Sequence, residues 1–386
     1  MTPDQVQTLA RLAHKLASLG VDGEFLPTVS EGPVITLYRF VPKNATRVAS
    51  VERLAPDLAV ALGAEAVQVN RLPGENAVGI FVPNKVKHSL EFKDSVTEVW
   101  KSYNDPLTNL ATHQKLPICL GQDHMGRLVV EDLTSLPHLL IAGSTGGGKS
   151  TLLNSIIASF IYCIPSTDLK LVLCDPKQVE FNHFEAAPHL LMPIATSTRD
   201  ILDALKDLVR DVETRLSMMA KYRCQNIAQF HALGHKLPYV VVVIDELADP
   251  LQDQTTELIV DPVDGREKKS KPYGKQAEFA LGKIASKARA TGIHIIGATQ
   301  RPSVRVVEGN IKANFPARLS FRLPSEMDSR TILNQGGAEH LLSQGDALYL
   351  SPNSPAVRRI HAPLAIKSDI EAAIEMALMK ERSIQS

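Results

Sequence analysis

Gly143-Ser144-Thr145-Gly146-Gly147-Gly148-Lys149-Ser150 is the stretch whose reading decides the fold. An apolar run, His138-Leu-Leu-Ile-Ala142, leads into it, and a run at helical spacing, Thr151-Leu-Leu-Asn-Ser-Ile-Ile-Ala-Ser-Phe160, leads out. Strand, glycine loop and helix, in that order, are the setting of a phosphate-binding loop. Glycines let the backbone curl until successive N–H groups point at phosphate oxygens, and the helix start adds partial positive charge. The candidate nucleotide-binding residues therefore run from Gly143 to Thr151. Lys149 would reach the β- and γ-phosphates and Ser150 would ligate Mg²⁺, so ATP and Mg²⁺ are the expected ligands.

Downstream the pattern alternates between strand and helix, which argues a mainly parallel sheet with helices on its faces. The strands are expected near 138–142, 169–174, 239–244, 293–298, 317–323 and 346–350. A long helix is expected from 198 to 222, with Ile201, Leu205, Leu208, Val212 and Leu216 as its buried stripe. Lys275 to Arg289 is another, closed by Gly292, and Asp369 to Glu381 is the last. Gln252 to Gly274 is polar and mixed in charge, and reads as an exposed loop or hairpin.

Chemistry collects at the strand tips. Tyr239-Val-Val-Val-Val-Ile244 is apolar throughout, as a strand buried on both faces should be, and it ends in Asp245-Glu246. Ligands bind outside the carboxyl ends of strands in open α/β sheets. Asp245 is the expected Mg²⁺ holder, and Glu246 would polarise the water that attacks the γ-phosphate. Ile293-His-Ile-Ile-Gly-Ala-Thr-Gln300 carries an amide at its tip that would sense the γ-phosphate or that water. Asp175 and Lys177 close another strand, as candidates to support the site or an interface. Phosphoryl transfer gains from an arginine set against the developing charge, often from a neighbouring subunit. Arg289, Arg301, Arg318 and Arg330 are candidates, and spacing does not choose among them.

The bulk properties set the frame. A chain of 386 residues, 44% hydrophobic and 22% charged, is globular and longer than one ordinary domain. A formal net charge of zero argues against coating nucleic acid with the whole surface but allows a local basic channel. Cys119, Cys163, Cys174 and Cys224 are scattered without metal-site spacing and read as reduced residues. No signal layout or uninterrupted apolar stretch of ~18 residues is present, so a cytoplasmic protein without a membrane segment is expected. Residues 1–104 read as a small α/β domain: a helix over 3–19, a strand at Pro33–Phe40, a helix from Val51 to Leu62, and two strands around a Pro73-Gly74 turn. Residues 105–137 read as a connecting hairpin and 138–386 as the ATPase domain.

Together these residues resemble the motor portion of the FtsK/SpoIIIE family. The likeness rests on the glycine loop with Pro137-His-Leu-Leu-Ile-Ala-Gly143, on Cys174-Asp-Pro-Lys177, and on Pro188-His-Leu-Leu191. It continues through Asp245-Glu-Leu-Ala-Asp249, Lys287-Ala-Arg-Ala-Thr-Gly-Ile-His294 and Ala298-Thr-Gln-Arg-Pro-Ser303. Ile311-Lys-Ala-Asn314, Asp328-Ser-Arg-Thr-Ile-Leu333 and Gly345-Asp-Ala-Leu-Tyr349 follow in family order. In the N-terminal unit, Gly32-Pro-Val-Ile-Thr36, Leu58-Ala-Val-Ala-Leu-Gly63 and Val82-Pro-Asn84 are similar to the family's small α/β domain.

The resemblance implies a RecA-like P-loop NTPase core preceded by that small domain. It implies a homo-oligomeric, hexameric ring that pumps double-stranded DNA, with Lys149, Asp245 and Glu246 in the roles given above. Arg289 is then similar to the family's trans-acting arginine finger and Gln300 to its sensor. Arg301 with Lys312, and Arg330, resemble the two loops that grip DNA phosphates, a contact that is sequence-independent and salt-sensitive. Glu326 departs from the family, which often carries lysine there. The family's membrane-spanning N-terminus and C-terminal winged helix find no counterpart, so a stripped motor, as of a phage, plasmid or mobile element, or a truncated piece of a longer protein, is expected. The alternatives are a motor for single-stranded DNA in packaging or conjugation, and a SpoIIIE-like ATPase of protein secretion.

Overall fold

Thr2 accepts the N–H of Gln5, whose side chain returns to the N–H of Thr2, and this capping box starts helix α1 (Pro3–Ser18). The computed structural model describes residues 1–43, 46–72, 74–86, 89–104, 115–260, 267–302, 310–354 and 356–385. Strands β1 (Gly23–Phe25), β2 (Ser30–Glu31), β3 (Ile35–Pro42), β4 (Gln68–Arg71) and β5 (Val78–Pro83) form an antiparallel sheet ordered β1-β3-β5-β4, with β2 on β3. Leu12 and Leu16 of α1 bury against Tyr38, Phe40, Val69 and Ile80 of that sheet. The helix expected over Val51–Leu62 is two helices, α2 (Val48–Glu52) and α3 (Ala55–Leu62). Pro56 has no N–H for the carbonyl of Glu52, so the first helix stops and a second starts. Of the expected Pro73-Gly74 turn, Pro73 lies outside the described residues.

Two expected boundaries move. Strand β6 (Leu90–Glu91) and helix α4 (Phe92–Asn104) were placed by sequence with the small domain, but Phe92, Val96 and Val99 bury in the core of the large one. The connecting hairpin expected at 105–137 is an antiparallel hairpin, β7 (Pro117–Asp123) and β8 (Leu128–Asp132), yet it forms the edge of the main sheet. Residues 105–114 lie outside the described part.

The main sheet then takes β9 (His138–Ala142), followed by α5 (Lys149–Cys163), β10 (Leu169–Cys174), α6 (Thr198–Lys221), α7 (Ile227–Ala232) and β11 (Tyr239–Ile244). Next come α8 (Ala248–Gln252), a hairpin of β12 (Leu258–Val260) and β13 (Glu267–Lys269), α9 (Tyr273–Thr291), β14 (Ile293–Thr299) and α10 (Asn310–Asn314). The chain closes with β15 (Ala317–Phe321), α11 (Glu326–Leu333), β16 (Asp346–Leu350), β17 (Arg358–His361), β18 (Pro363–Leu364) and α12 (Lys367–Gln385). The hairpin β12–β13 occupies the polar stretch 252–274, of which 261–266 lie outside the described residues.

The nine strands are ordered β10-β11-β14-β9-β15-β16-β17-β7-β8. The first five run parallel; the rest alternate. The period of two along each strand divides its side chains between two cores. Leu139, Ile141, Val241 and Val243 face the one covered by α4 and α5. Leu140, Val240, Val242 and Ile244 face the one covered by α6 and α9. Burial on both sides is why these strands read as unbroken apolar runs.

The carboxyl ends of β10, β11, β14 and β9 stand side by side, so Asp175, Asp245-Glu246, Gln300 and the glycine loop open onto one edge. The small domain is tied to the large one. Leu342 packs with Val34, Leu37 and Phe81, and the Gln68 side chain donates to Gly337 O at 3.2 Å.

Candidate functional site

The loop between β9 and α5 needs its glycines for two separate reasons. Gly146 and Gly148 sit at φ of +78° and +117°, where a side chain is strained. At Gly143 a Cβ would come within 2.8 Å of the Phe321 Cβ, and at Gly148 within 3.0 Å of the Gly345 nitrogen. The loop is thus pressed against β15 and the turn before β16. Above it opens a cleft of about 400 Å³, lined on one side by Ser144, Thr145, Lys149 and Ser150 and on the other by Gly345, His361, Pro363 and Leu364.

The side chains in and behind the cleft come from four strand ends. Lys149, only 3% exposed, donates to the backbone oxygen of Asp245 at 2.9 Å and to its Oδ1. Asp245 is fully buried, and its Oδ2 has no hydrogen-bond partner. Glu246 is held on all sides: Thr299 Oγ1 donates to Oε1 at 2.6 Å, the Gln300 N–H to Oε2 at 3.0 Å, and the Ala248 N–H to Oε1 at 3.2 Å. Lys177 Nζ lies 3.7 Å from Glu246 Oε2. Gln300 Oε1 accepts from Thr145 Oγ1 at 3.1 Å, which links the tip of β14 directly to the glycine loop. Burial, then the nearby Glu246, push the Asp249 carboxyl above the usual carboxylate range.

Of the strand-tip pair Asp175 and Lys177, Lys177 approaches the site directly. Asp175 acts through the chain instead, since its Oδ2 accepts the N–H groups of Glu180 and Phe181 at 2.8 and 3.0 Å. That turn delivers Glu180, which sequence reasoning missed, to the cleft: Ser150 Oγ donates to Glu180 Oε1 at 2.7 Å. Glu180 follows Asp175 by five residues outside any recognised motif, so only the fold of the turn reveals it.

The arginines sort themselves by position. Arg318 is buried and donates to Phe315 O, Ile332 O and Lys312 O at 2.9, 3.2 and 2.8 Å, so it holds backbone together and is no candidate for the phosphates. Arg289 is exposed at the last turn of α9 and donates to Ser135 O at 3.1 Å. Ser135 precedes the start of β9, so Arg289 lies at the sheet edge opposite the glycine loop of its own chain. Arg301 is exposed just past β14, and Lys312 sits in α10; the segment 303–309 between them lies outside the described residues. Arg330 is exposed on α11 and pairs with Glu326, its Nε and Nη2 at 2.9 and 2.7 Å from the same oxygen. Burial pushes the thiols of Cys119, Cys163 and Cys174 to about 12, which removes them as nucleophiles.

Mg²⁺ takes oxygen ligands and is held by one or two carboxylates together with substrate phosphates. Among the described residues no group of three or more His, Cys, Asp or Glu is placed to hold a metal ion alone. The donors present fit that pattern: the Ser150 hydroxyl and the orphaned, buried Asp245 Oδ2. No helix among the described residues is long and apolar enough to cross a membrane.

A parallel sheet whose glycine loop opens a helix, with acids on the tip of the next strand but one, defines a P-loop ATPase. Sequence comparison then gives the family. The FtsK/SpoIIIE family profile matches residues 108–304 and the FtsK alpha domain profile matches 2–84, and the chain belongs to the FtsK/SpoIIIE family. It is 38% identical over 381 residues to the "DNA translocase FtsK" of Campylobacter jejuni, covering 97% of this chain and 37% of that protein. It is 37% identical over 376 residues to the "DNA translocase FtsK" of Helicobacter pylori strain J99, covering 96% and 41%. The chain thus spans less than half the length of these curated relatives. Among solved structures it is similar to the monomer form of the pCW3 conjugation coupling protein TcpA with ATPγS, at TM-score 0.64 and 21% identity, covering 97% and 99% of the two chains. The cytoplasmic domain of the Thermomonospora curvata type VII secretion ATPase EccC follows at TM-score 0.59 and 19% identity, covering 75% and 34%. These likenesses concern the fold.

Proposed function

We propose that this chain is an ATP-driven DNA translocase, whose subunits form a hexameric ring that pumps double-stranded DNA. The observation that supports it most is the split of the site. Lys149, Asp245, Glu246 and Gln300 gather at one edge of the sheet, while Arg289 stands exposed at the opposite edge. An arginine so placed reaches phosphates bound by a neighbouring copy and not those of its own loop. The curated relatives named as DNA translocases supply the polymer.

In this reading ATP lies in the cleft with its phosphates in the nest of loop N–H groups. Lys149 exchanges its contact with Asp245 for the β- and γ-phosphates. Ser150 and Asp245 would hold Mg²⁺, which when bound would neutralise charge on the phosphates. Glu246 takes the proton of the water that attacks the γ-phosphate; its three donors fix the carboxylate at the tip of β11. Gln300, bonded to Thr145, registers the loss of the γ-phosphate and passes it to Arg301 and the segment leading to Lys312. Those residues and Arg330 take DNA phosphates, so the grip is independent of sequence. Because only the lumen needs positive charge, a neutral chain suffices. ATP turnover measured with and without duplex DNA tests the reading. Stimulation by duplex that Lys149→Ala abolishes supports it, and no stimulation by any DNA at low salt contradicts it.

A further inference from the structure

The ATP site proposed above leaves one of its carboxylates without a role. Glu180 reaches into the cleft and accepts the hydroxyl proton of Ser150 at 2.7 Å. We propose that Glu180 is a positioning residue of the Mg²⁺ site: it accepts the hydrogen bond of the Ser150 hydroxyl and so turns the lone pairs of that hydroxyl to the ion. This rests on the reading of Gly143–Ser150 as a nucleotide site.

A serine hydroxyl has one proton and two lone pairs, and it ligates a cation only through the lone pairs. Something must therefore receive the proton, and donation to a carboxylate is the strongest neutral-to-charged choice. The acceptor here is built in place. Asp175, fully buried, accepts the N–H of Glu180 at 2.8 Å and that of Phe181 at 3.0 Å, and Phe181 is itself fully buried. The residue bearing the carboxylate is pinned on both sides before any ligand arrives.

A second observation points to a cation. Lys149 and Ser150 are neighbours at the start of α5, and their partners are two carboxylates from different strand ends, Asp245 and Glu180. Asp245 is fully buried and its Oδ2 has no partner. An unpaired carboxylate oxygen in the interior is costly unless a donor or a positive charge comes to it. The donor set of the Asp245 carboxylate and the Ser150 hydroxyl is all hard oxygen, as Mg²⁺ requires. The competing reading is that Glu180 blocks Ser150 and must leave before the ion can bind.

The test is the affinity of the full chain for a fluorescent ATP analogue, in Mg²⁺ and in EDTA, for the unmutated protein, Glu180→Gln and Glu180→Ala. Partners of metal ligands typically change metal affinity by about 10- to 100-fold. Both variants are expected to lose about tenfold or more in Mg²⁺ and to match the unmutated chain in EDTA, with Mn²⁺ binding seen by paramagnetic resonance weakened in parallel. An equal loss in Mg²⁺ and EDTA would make Glu180 a support of the loop only and overturn the proposal. Tighter binding in Mg²⁺ would make it a plug and overturn it as well. Failure of the unmutated chain to bind the analogue in either condition would instead bring down the ATP-site reading beneath it.

Discussion

At the scale of single residues, the buried pair of Lys149 and Asp245 carries the heaviest consequences. Removing one partner of a buried ion pair leaves the other charged and desolvated, at a cost of about 3–5 kcal/mol. Lys149→Ala should therefore abolish ATP turnover and also lower the unfolding free energy by that amount in a denaturant titration. Lys149→Ala/Asp245→Ala should cost less than the sum of its parts, because the stranded charge is gone. Glu246→Gln keeps the shape but not the base, and a drop of about 10²- to 10⁴-fold in turnover with retained nucleotide binding is expected. Arg289→Ala should be as inactive as Lys149→Ala, since an arginine finger is worth about 10³–10⁵ in turnover. If Arg289 acts on a neighbour, mixing the two inactive proteins restores turnover at the mixed interfaces; mixtures that stay dead at every ratio would place Arg289 elsewhere. Arg330 is held by an exposed pair worth only about 0–1 kcal/mol, which DNA phosphates can displace. Arg330→Ala should reduce the slope of log binding constant against log salt by about 0.9, whereas Glu326→Gln should tighten DNA binding.

At the scale of elements, two histidines join the first turns of β9 and β14. His138 Nδ1 accepts the Ile295 N–H at 2.9 Å, so its other nitrogen carries the proton toward Ala285 O. His294 Nδ1 donates to Pro137 O at 2.8 Å. Burial pushes His138 down to about 3 and His294 to about 4, from 6.5. Both are neutral when folded and protonate more readily when unfolded. Their contribution is complete above pH 6.5 and is lost as pH falls from 6.5 towards those values. Chemical unfolding across that window should show stability falling by up to about 1.4 kcal/mol per pH unit for each imidazole, and His294→Gln should flatten the slope. The glycine loop, the acid-tipped strand β11 and the amide-tipped β14 were legible in the chain because each is a local pattern: a fixed octapeptide, an unbroken apolar run, a change from apolar to polar. The place of α4 was not, because its amphipathic face fits either domain until packing selects one. Nor was the hairpin β7–β8 as a sheet edge, since its pairing with β17 spans most of the chain. Glu180 escaped for the same reason: its meaning comes from a turn held by Asp175, not from its neighbours in sequence.

At the scale of the whole molecule, the sheet works as a partition. Its carboxyl edge gathers the glycine loop and the strand-tip acids and its amino edge exposes Arg289, so in the proposed assembly one chain would supply halves of two different sites. In the proposed ring each edge meets its complement in the next subunit, and the rotation closes. Sizing by light scattering should show a closed oligomer in Mg²⁺ with a non-hydrolysable ATP analogue, and a smaller species in EDTA. The small domain is fixed to the large one through Gln68, Gly337 and the Leu342 cluster, and hydrolysis would be transmitted across that junction. The central claim is movement along duplex DNA driven by ATP. Displacement of a third strand from a triplex by the full chain tests it most directly. The account predicts displacement that requires ATP, falls steeply with salt, depends on duplex length ahead of the triplex, and is absent in Lys149→Ala. ATP hydrolysis without displacement at any salt concentration, or equal stimulation by single strands, would contradict it.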